Sequence, residues 1–146
     1  MSVNDGYNGI KIQISEWVHD HYWENNDNCA TTMISCLAKL FGIEIHEQVF
    51  AASLGMHGAG GYRGQCGLVE GGLLFIGIYG IKKKMTREKI VIICRNYAKA
   101  FEANFSSISC YDLRPEGFKA DDPPHPCEGM TTETVWFSYQ WLLNLL

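Results

Sequence analysis

The glycine-rich stretch around Cys66, residues 58–72, constrains the fold of this chain more than any other feature. Glycine adopts positive φ and lets another backbone or a ligand approach closely, so this density predicts a loop of unusual shape. The apolar run 73–79 follows at once and predicts a buried helix that ends at Gly80 and lysines 82–84. Cys66 would lie at the first turn of that helix, where the N–H groups and the helix dipole favour a thiolate. The alternative is that the glycines only let two helices pack closely.

Apolar residues recur at helical spacing along most of the chain, and strand patterns are weak. We therefore predict an all-α protein, an irregular bundle of about five or six helices with a glycine-rich loop at the cysteine site, in one domain covering residues 1–146. Besides the apolar helix, the predicted helices cover residues 9–23, the segment from the turn at 24–28 to Gly42, residues 44–54, a long segment capped by Thr86, a short segment at Cys110, and the segment from Thr131 or Thr132 to Leu146. Residues 115–130, with all four prolines of the chain, predict an irregular loop.

Charge and hydropathy exclude several classes of function. The net charge is −4 and the basic residues are dispersed except at 82–84, which argues against a nucleic-acid surface. The first residues lack the basic and apolar regions of a signal peptide, and no apolar run is long enough to cross a bilayer. We therefore expect a cytoplasmic protein with no membrane association. Six cysteines in a reducing compartment are then reactive, ligating or buried, and not structural disulfides.

The six cysteines fall into two groups. Cys36 and Cys94 lie inside predicted helices among apolar residues, so both are predicted to be buried hydrophobic side chains. The other four lie at or near helix starts, where a thiolate is stabilised. The chain has no Cys-x-x-Cys pair, which excludes a thioredoxin-like motif and a zinc ribbon. A site made of thiolates must therefore bring together residues far apart in sequence, namely Cys29, Cys66, Cys110 and Cys127.

Several neighbours of these cysteines are further candidates. Arg63 is close enough in sequence to lower the pKa of Cys66 or to hold an anionic group, although a solvated loop arginine is an equal alternative. Gly64 and Gly67 flank Cys66 and would let a bound group approach the backbone. Lone histidines in loops are usually solvated, but His57 and His125 are candidates for ligating a metal or carrying protons.

Four segments together resemble the C-GCAxxG-C-C family of putative redox-active proteins: Asn28-Cys29-Ala30, residues 64–71, residues 109–113, and Cys127. The family is named for four cysteines and for a motif rich in glycine and alanine around the second. The resemblance spans most of the chain, with Leu68 standing where the family has alanine. It implies a small helical protein with a cysteine redox or iron–sulfur role, and it implies no particular reaction.

Three hypotheses about function remain open. In the first, which we favour, Cys29, Cys66, Cys110 and Cys127 cycle between thiols and disulfides with a redox partner protein, and Cys66 is the most acidic thiol. In the second, the same four cysteines ligate an iron–sulfur cluster or another metal ion. In the third, the protein is a non-catalytic helical interaction domain. The sequence does not distinguish the first two hypotheses, nor does it name the attacking cysteine.

The last predicted helix, from Thr132 to Leu146, is apolar on more than one face. A surface helix of a monomer normally keeps one polar face, so such a helix is either buried in the core or shared with a partner. We therefore predict a homodimer to which this helix contributes apolar surface, because symmetric dimers are the commonest oligomers.

Overall fold

The computed structural model describes residues 3–114, 121 and 124–145. In this part of the chain eight α-helices form and no β-strand does, so the predicted all-α class is confirmed. Five of the helices are long, the short helices α3 and α7 lie where helices were predicted at 44–54 and at Cys110, and the short α4 was not predicted. The helices are α1 (Val3–Trp23), α2 (Cys29–Phe41), α3 (Glu47–Ala52), α4 (Gly58–Gly61), α5 (Gly67–Lys82), α6 (Arg87–Phe105), α7 (Cys110–Leu113) and α8 (Glu128–Leu145), and a 3₁₀ turn (Ser53–Gly55) follows α3.

Several helix ends lie where the sequence predicted them, because their capping residues are present. Asn28 is the N-cap of α2 and accepts a hydrogen bond from the Thr31 backbone N–H, at 2.9 Å. Gly42 ends the same helix with a φ of 64°, a left-handed conformation that suits glycine. Thr86 caps α6 by accepting from the Lys89 backbone N–H. None of the described helices combines the length and the hydropathy that a membrane span requires.

The expected glycine-rich loop is not formed, and the glycines serve packing instead. Helix α5 begins at Gly67 with Cys66 as its N-cap, as predicted, and extends through the glycines before the apolar run, so Gly71 and Gly72 lie inside it. A Cβ at Gly71 would lie 2.7 Å from the Ala30 carbonyl oxygen, and one at Gly72 would lie within 2.7 Å of the Tyr97 ring. The two glycines therefore allow α5 to approach α2 and α6 closely, which is the alternative that the sequence had left open.

Residues 58–61 form a short helical segment, α4, within the stretch that was predicted to be a loop of unusual shape. Its backbone is irregular, with positive φ at Gly58, Ala59, Gly60 and Gly61. The Gly61 N–H donates to the His57 carbonyl at 2.9 Å, and the Gly64 N–H donates to the Gly58 carbonyl at 3.0 Å. These bonds close the chain into a compact turn that leads directly to Cys66.

The core lies between α2 and α5, which form the most extensive contact of the fold. Helix α8 packs against α1 and α2, and helix α6 packs against α5. Tyr97 of α6 is fully buried, and its hydroxyl hydrogen-bonds with the Ser138 hydroxyl of α8 at 2.7 Å. Helix α8 begins at Glu128, three residues before the predicted start, inside the segment that had been predicted as a loop. Residues 115–120, 122 and 123 of that predicted loop lie outside the described residues.

Candidate functional site

Four cysteines from four separate segments line one cavity of about 40 Å³, the thiol cavity. Cys29 is the first residue of α2, Cys66 is the N-cap of α5, Cys110 is the first residue of α7, and Cys127 directly precedes α8. All four are free thiols. The described residues that line the thiol cavity are Cys29, His57, Gly61, Cys66, Gly67, Leu68, Cys110, Leu113, Arg114, Cys127 and Met130.

A short backbone pairing joins the segments of Cys66 and Cys110. Gln65 and Ser109 form an isolated antiparallel bridge. The Cys66 N–H donates to the Ile108 carbonyl at 2.8 Å, and the Cys110 N–H donates to the Gly64 carbonyl at 2.7 Å. Because the hydrogen bonds involve the backbone of both cysteines, the positions of their side chains relative to each other are set by main-chain geometry.

Two glycines make room for the sulfurs. A Cβ at Gly67 would overlap Cys29 Sγ, and it would lie only 3.0 Å from the Met56 carbonyl oxygen. Gly58, whose φ is 62°, would place a Cβ 3.1 Å from Cys110 Sγ. Gly67, a predicted candidate for holding a bound group, is therefore in contact with a thiol of the site. Gly64, the second such candidate, packs against Ala59, which a Cβ at Gly64 would approach to 2.9 Å.

Burial raises the pKa of every thiol in the cavity. It raises the pKa of Cys29 to about 12, with a further contribution from the neighbouring Cys66, and it raises the pKa of Cys66 to about 11. The pKa values of Cys110 and Cys127 are raised as well, again chiefly by burial. A low-dielectric surrounding disfavours the thiolate more than the neutral thiol. In the reduced protein at neutral pH, the cavity therefore holds neutral thiols.

The prediction that Cys66 is the most acidic thiol is wrong. The helix start does act as expected, because the Leu68 and Val69 N–H groups bond to the sulfur and lower the pKa of Cys66. Burial outweighs this contribution, since only 6% of the residue is exposed. The acidity of Cys66 is decided by its packing under neighbouring helices. This packing depends on the tertiary structure and not on the local sequence.

Two arginines lie near the thiols, and the sequence singled out only one of them. Arg114 and then Arg63 lower the pKa of Cys110, and the Arg114 side chain also hydrogen-bonds with Cys127. Arg63 lies over the Tyr111 ring, 5.4 Å from its centroid. Arg114 was missed, although its position four residues after Cys110 places the two one helical turn apart. That spacing was the available signal.

A wider cavity of about 320 Å³, the outer cleft, adjoins the thiol cavity. Cys29, Cys127 and two polar residues, His57 and Arg114, line both cavities, whereas Cys66 and Cys110 line only the inner one. The outer cleft is lined, within the described residues, by Tyr22, Asn26, Asp27, Asn28, Cys29, Leu54, His57, Arg114, His125, Pro126 and Cys127.

Cys36 and Cys94 lie outside both cavities. Cys36 is fully buried in the core, as predicted. Cys94 is only half-buried at the edge of the core, so the prediction of a buried side chain is wrong for it, because α6 presents it between the core and the solvent. The division of the six cysteines into four and two therefore corresponds to a spatial division.

The second hypothesis requires that the four thiols form a metal or cluster site. Within the described part of the chain, no group of three or more histidine, cysteine, aspartate or glutamate side chains is arranged to hold a metal ion. As arranged in this structure, Cys29, Cys66, Cys110 and Cys127 do not fit the predicted Cys₄ site.

Comparison with known proteins gives one match. A family model described as "Putative redox-active protein (C_GCAxxG_C_C)" matches residues 27–140, which include all four cysteines of the thiol cavity. No curated protein and no solved structure matches the chain.

Proposed function

Since this chain belongs to the C_GCAxxG_C_C family of putative redox-active proteins, we propose that it is a thiol–disulfide redox protein that uses Cys29, Cys66, Cys110 and Cys127. The observation that carries the proposal is the convergence of these four free thiols on one cavity. Two thiols that join as a disulfide release two electrons and two protons, so the site has the donors for two such steps. A reducing compartment such as the cytoplasm suits this function, because it supplies the thiols that return the site to its reduced form.

Burial and mutual repulsion support a disulfide as the oxidised product. At least one other cysteine of the cavity raises the pKa of each of Cys29, Cys66 and Cys127. Thiolates that accumulate together in this cavity repel one another, and a disulfide carries no charge. The reduced cavity holds neutral thiols and a disulfide is also uncharged, so oxidation to disulfides leaves no charge in the buried cavity.

Arg114 supports the formation of one thiolate at a time. An attacking cysteine must lose its proton, and a nearby guanidinium stabilises the sulfur anion that results. Arg114 hydrogen-bonds with Cys127 and also lowers the pKa of Cys110. These two thiols are therefore the attacking candidates that we favour over Cys66, and the deeply buried Cys29 and Cys66 suit the role of resolving thiols.

The test is a map of disulfides in the folded protein. The reduced protein is treated with diamide, the remaining thiols are alkylated, and the disulfide-linked peptides are identified by mass spectrometry. We expect disulfides only among Cys29, Cys66, Cys110 and Cys127. Cys36 and Cys94 are internal controls that stay alkylatable after unfolding, and a Cys36→Ala/Cys94→Ala variant is expected to give the same map.

Two results would contradict the proposal. A folded protein in which no disulfide forms would favour the third hypothesis, a non-catalytic interaction domain. Stoichiometric iron or zinc in protein purified without oxygen, together with an absorbance band of a thiolate-bound metal, would favour the second hypothesis. We expect neither, and we expect exchange of the oxidised protein with a dithiol redox partner.

A further inference from the structure

The outer cleft divides the four thiols into two pairs. Cys29 and Cys127 line both the outer cleft and the thiol cavity, whereas Cys66 and Cys110 line the thiol cavity alone. A molecule in the cleft would therefore meet Cys29 and Cys127 first. The inner cavity, with about 40 Å³, has room for a few water molecules at most and none for a substrate. Access from the cleft thus selects which thiols meet a substrate.

The dimensions of the cleft indicate a small molecule. Its volume of about 320 Å³ lies at the lower end of the range for small-molecule sites. Contacts between side chains hold one part of its wall in place. His125 packs its ring against the rings of Tyr22 and Trp23, with centroids 5.3 and 4.8 Å apart, and the Tyr22 hydroxyl hydrogen-bonds with Thr131 at 2.8 Å.

The charged groups of the lining favour an anion. Arg114 supplies a permanent positive charge, and the two histidines His57 and His125 can each donate a hydrogen bond. The acidic side chain of the described lining is Asp27, and its carboxylate is already engaged by His21 Nδ1 at 2.8 Å. Arg114 and the two histidines therefore offer hydrogen-bond donors to an anionic ligand.

We propose that the outer cleft binds a small disulfide that carries a carboxylate, and that Cys127 and Cys29 reduce it. This inference rests on the proposed function and assigns its substrate class. The cleft gives access to two thiols and provides the positive charge of Arg114 beside one of them. A carboxylate on the substrate would meet the guanidinium, which recognises carboxylates through several donors.

The reaction balances with the groups present. The Cys127 thiolate attacks one sulfur of the substrate, forming a mixed disulfide, and the substrate S–S bond breaks to release one substrate thiolate, which takes up a proton. The Cys29 thiolate then attacks Cys127 Sγ, forming a Cys29–Cys127 disulfide and releasing the second substrate thiolate, which is also protonated. The substrate gains two electrons and two protons, and the protein loses them. Dithiols of a redox partner reduce the protein disulfide again.

The test compares three small disulfides of similar size and different charge. They are dithiodiglycolate, which carries two carboxylates, 2-hydroxyethyl disulfide, which is neutral, and cystamine, which carries two ammonium groups. We expect reduction rates to fall in that order, with each step on the order of tenfold, since one charge near another in a partly buried site has about that effect. The rate is measured with reduced protein in excess, from the thiol released by the probe.

Arg114 variants test the origin of the preference. Arg114→Ala is expected to abolish the preference for the anionic probe, and Arg114→Lys is expected to keep part of it. Arg95→Ala is the matched control: it removes one positive charge from the exposed surface of α6, away from both cavities, and is expected to leave the order of rates unchanged. Circular dichroism checks that each variant is folded.

A trapping experiment identifies the attacking thiol. In a Cys29→Ser variant the mixed disulfide with dithiodiglycolate cannot be resolved by Cys29, and we expect mass spectrometry to find it on Cys127. A mixed disulfide on Cys66 or Cys110 would overturn the proposal, as would equal rates for the three probes or a faster reaction of cystamine. If disulfides still form with diamide in that case, the proposed function stands and only the substrate class is wrong. If no oxidant produces a disulfide, both are wrong.

Discussion

Asn28 holds its side-chain nitrogen Nδ2 3.3 Å from Nδ1 of His57, at the junction of the outer cleft and the thiol cavity. The orientation of the amide is defined by its other partners. Its oxygen accepts from the Thr31 N–H at 2.9 Å, and its nitrogen donates to the Leu54 and Ser53 carbonyls at 2.9 and 3.1 Å. A primary amide nitrogen only donates, so Nδ1 of His57 can share these hydrogens only as an acceptor, which favours the neutral tautomer with its proton on Nε2.

This arrangement predicts the tautomer of His57. Nitrogen-15 NMR of the labelled protein, at a pH where the ring is neutral, is expected to show a proton on Nε2 and none on Nδ1. Asn28→Ala removes the donor and is expected to yield a mixture of tautomers, together with a loss of about 1 kcal/mol from the lost cap of α2. His46, whose side chain makes no capping hydrogen bond, provides a reference histidine in the same spectrum. A proton on Nδ1 of His57 in the unmodified protein would contradict the prediction.

His57 is also expected to contribute to the rate of disulfide exchange. Its ring lines both cavities, so Nε2–H can donate a hydrogen bond that stabilises a leaving substrate thiolate. We expect His57→Ala to slow the reduction of a small disulfide by about tenfold or more, because a hydrogen bond to a charged group contributes roughly 1.5–3 kcal/mol. His19→Ala is the control, because His19 lies outside both cavities and contacts Glu128. An unchanged rate in His57→Ala would exclude this role.

Gly67 is predicted to be required for the position of Cys29. A Cβ at this position would meet Cys29 Sγ, the Met56 carbonyl oxygen and the His57 Cα, so we expect Gly67→Ala to lower the free energy of unfolding by about 1–3 kcal/mol. Gly77 lies in the same helix, and a Cβ at this position would have no atom within 4 Å apart from the backbone of its own helix and its chain neighbours. Gly77→Ala is therefore expected to stabilise the protein by about 0.5–1 kcal/mol. Urea unfolding of both variants checks the prediction, which fails if the two substitutions have the same effect.

The buried thiols predict a loss of stability at alkaline pH. The pKa of Cys29 is raised to about 12 and that of Cys66 to about 11 in the folded protein, above the ordinary value of a cysteine of about 8.5. The unfolded chain therefore releases these protons first as the pH rises. The stabilisation is complete below the pKa of the unfolded thiol and is lost progressively as the pH approaches the folded pKa.

We expect the free energy of unfolding of the reduced protein to fall between pH 8 and pH 10, by about 2 kcal/mol for each such thiol. Urea unfolding at a series of pH values, in the presence of a reductant, measures this slope. The slope is expected to be shallower in Cys29→Ala, because that variant lacks one of the titrating groups. A stability that is constant or increases over this range would show that the thiols are less buried than the structure indicates.

A homodimer through α8 remains our prediction, and the structure indicates which residues would contribute. Helix α8 buries Val135 and Leu142 in the core, while Leu143 and Leu145 are 42% and 50% exposed. We expect light scattering to show a dimer, and Leu143→Glu/Leu145→Glu to dissociate it into folded monomers. Ile12→Glu, which replaces an exposed apolar residue of α1, is the control and is expected to leave the dimer intact. A monomer at all concentrations would disprove the prediction.

Local chemistry in the sequence was sufficient to predict several features of this protein. Asn28, Gly42 and Thr86 end or begin helices through bonds within a few residues of themselves, so their positions could be derived without the fold. The same local reasoning divided the cysteines into two groups, because a helix start and a helix interior differ in sequence. One group is Cys29, Cys66, Cys110 and Cys127, and the other is Cys36 and Cys94.

Tertiary packing decided the properties that depend on distant residues. In the sequence, Gly71 and Gly72 are typical of a loop. They lie inside α5, where α2 and the Tyr97 ring occupy the space that a larger side chain would need. The acidity of Cys66 was predicted from its helix start and was reversed by burial under segments far away in the chain. The outer cleft and the position of Arg114 beside Cys127 likewise exist only once α2, α7 and α8 meet, since no local pattern encodes a contact between residues that are distant in sequence.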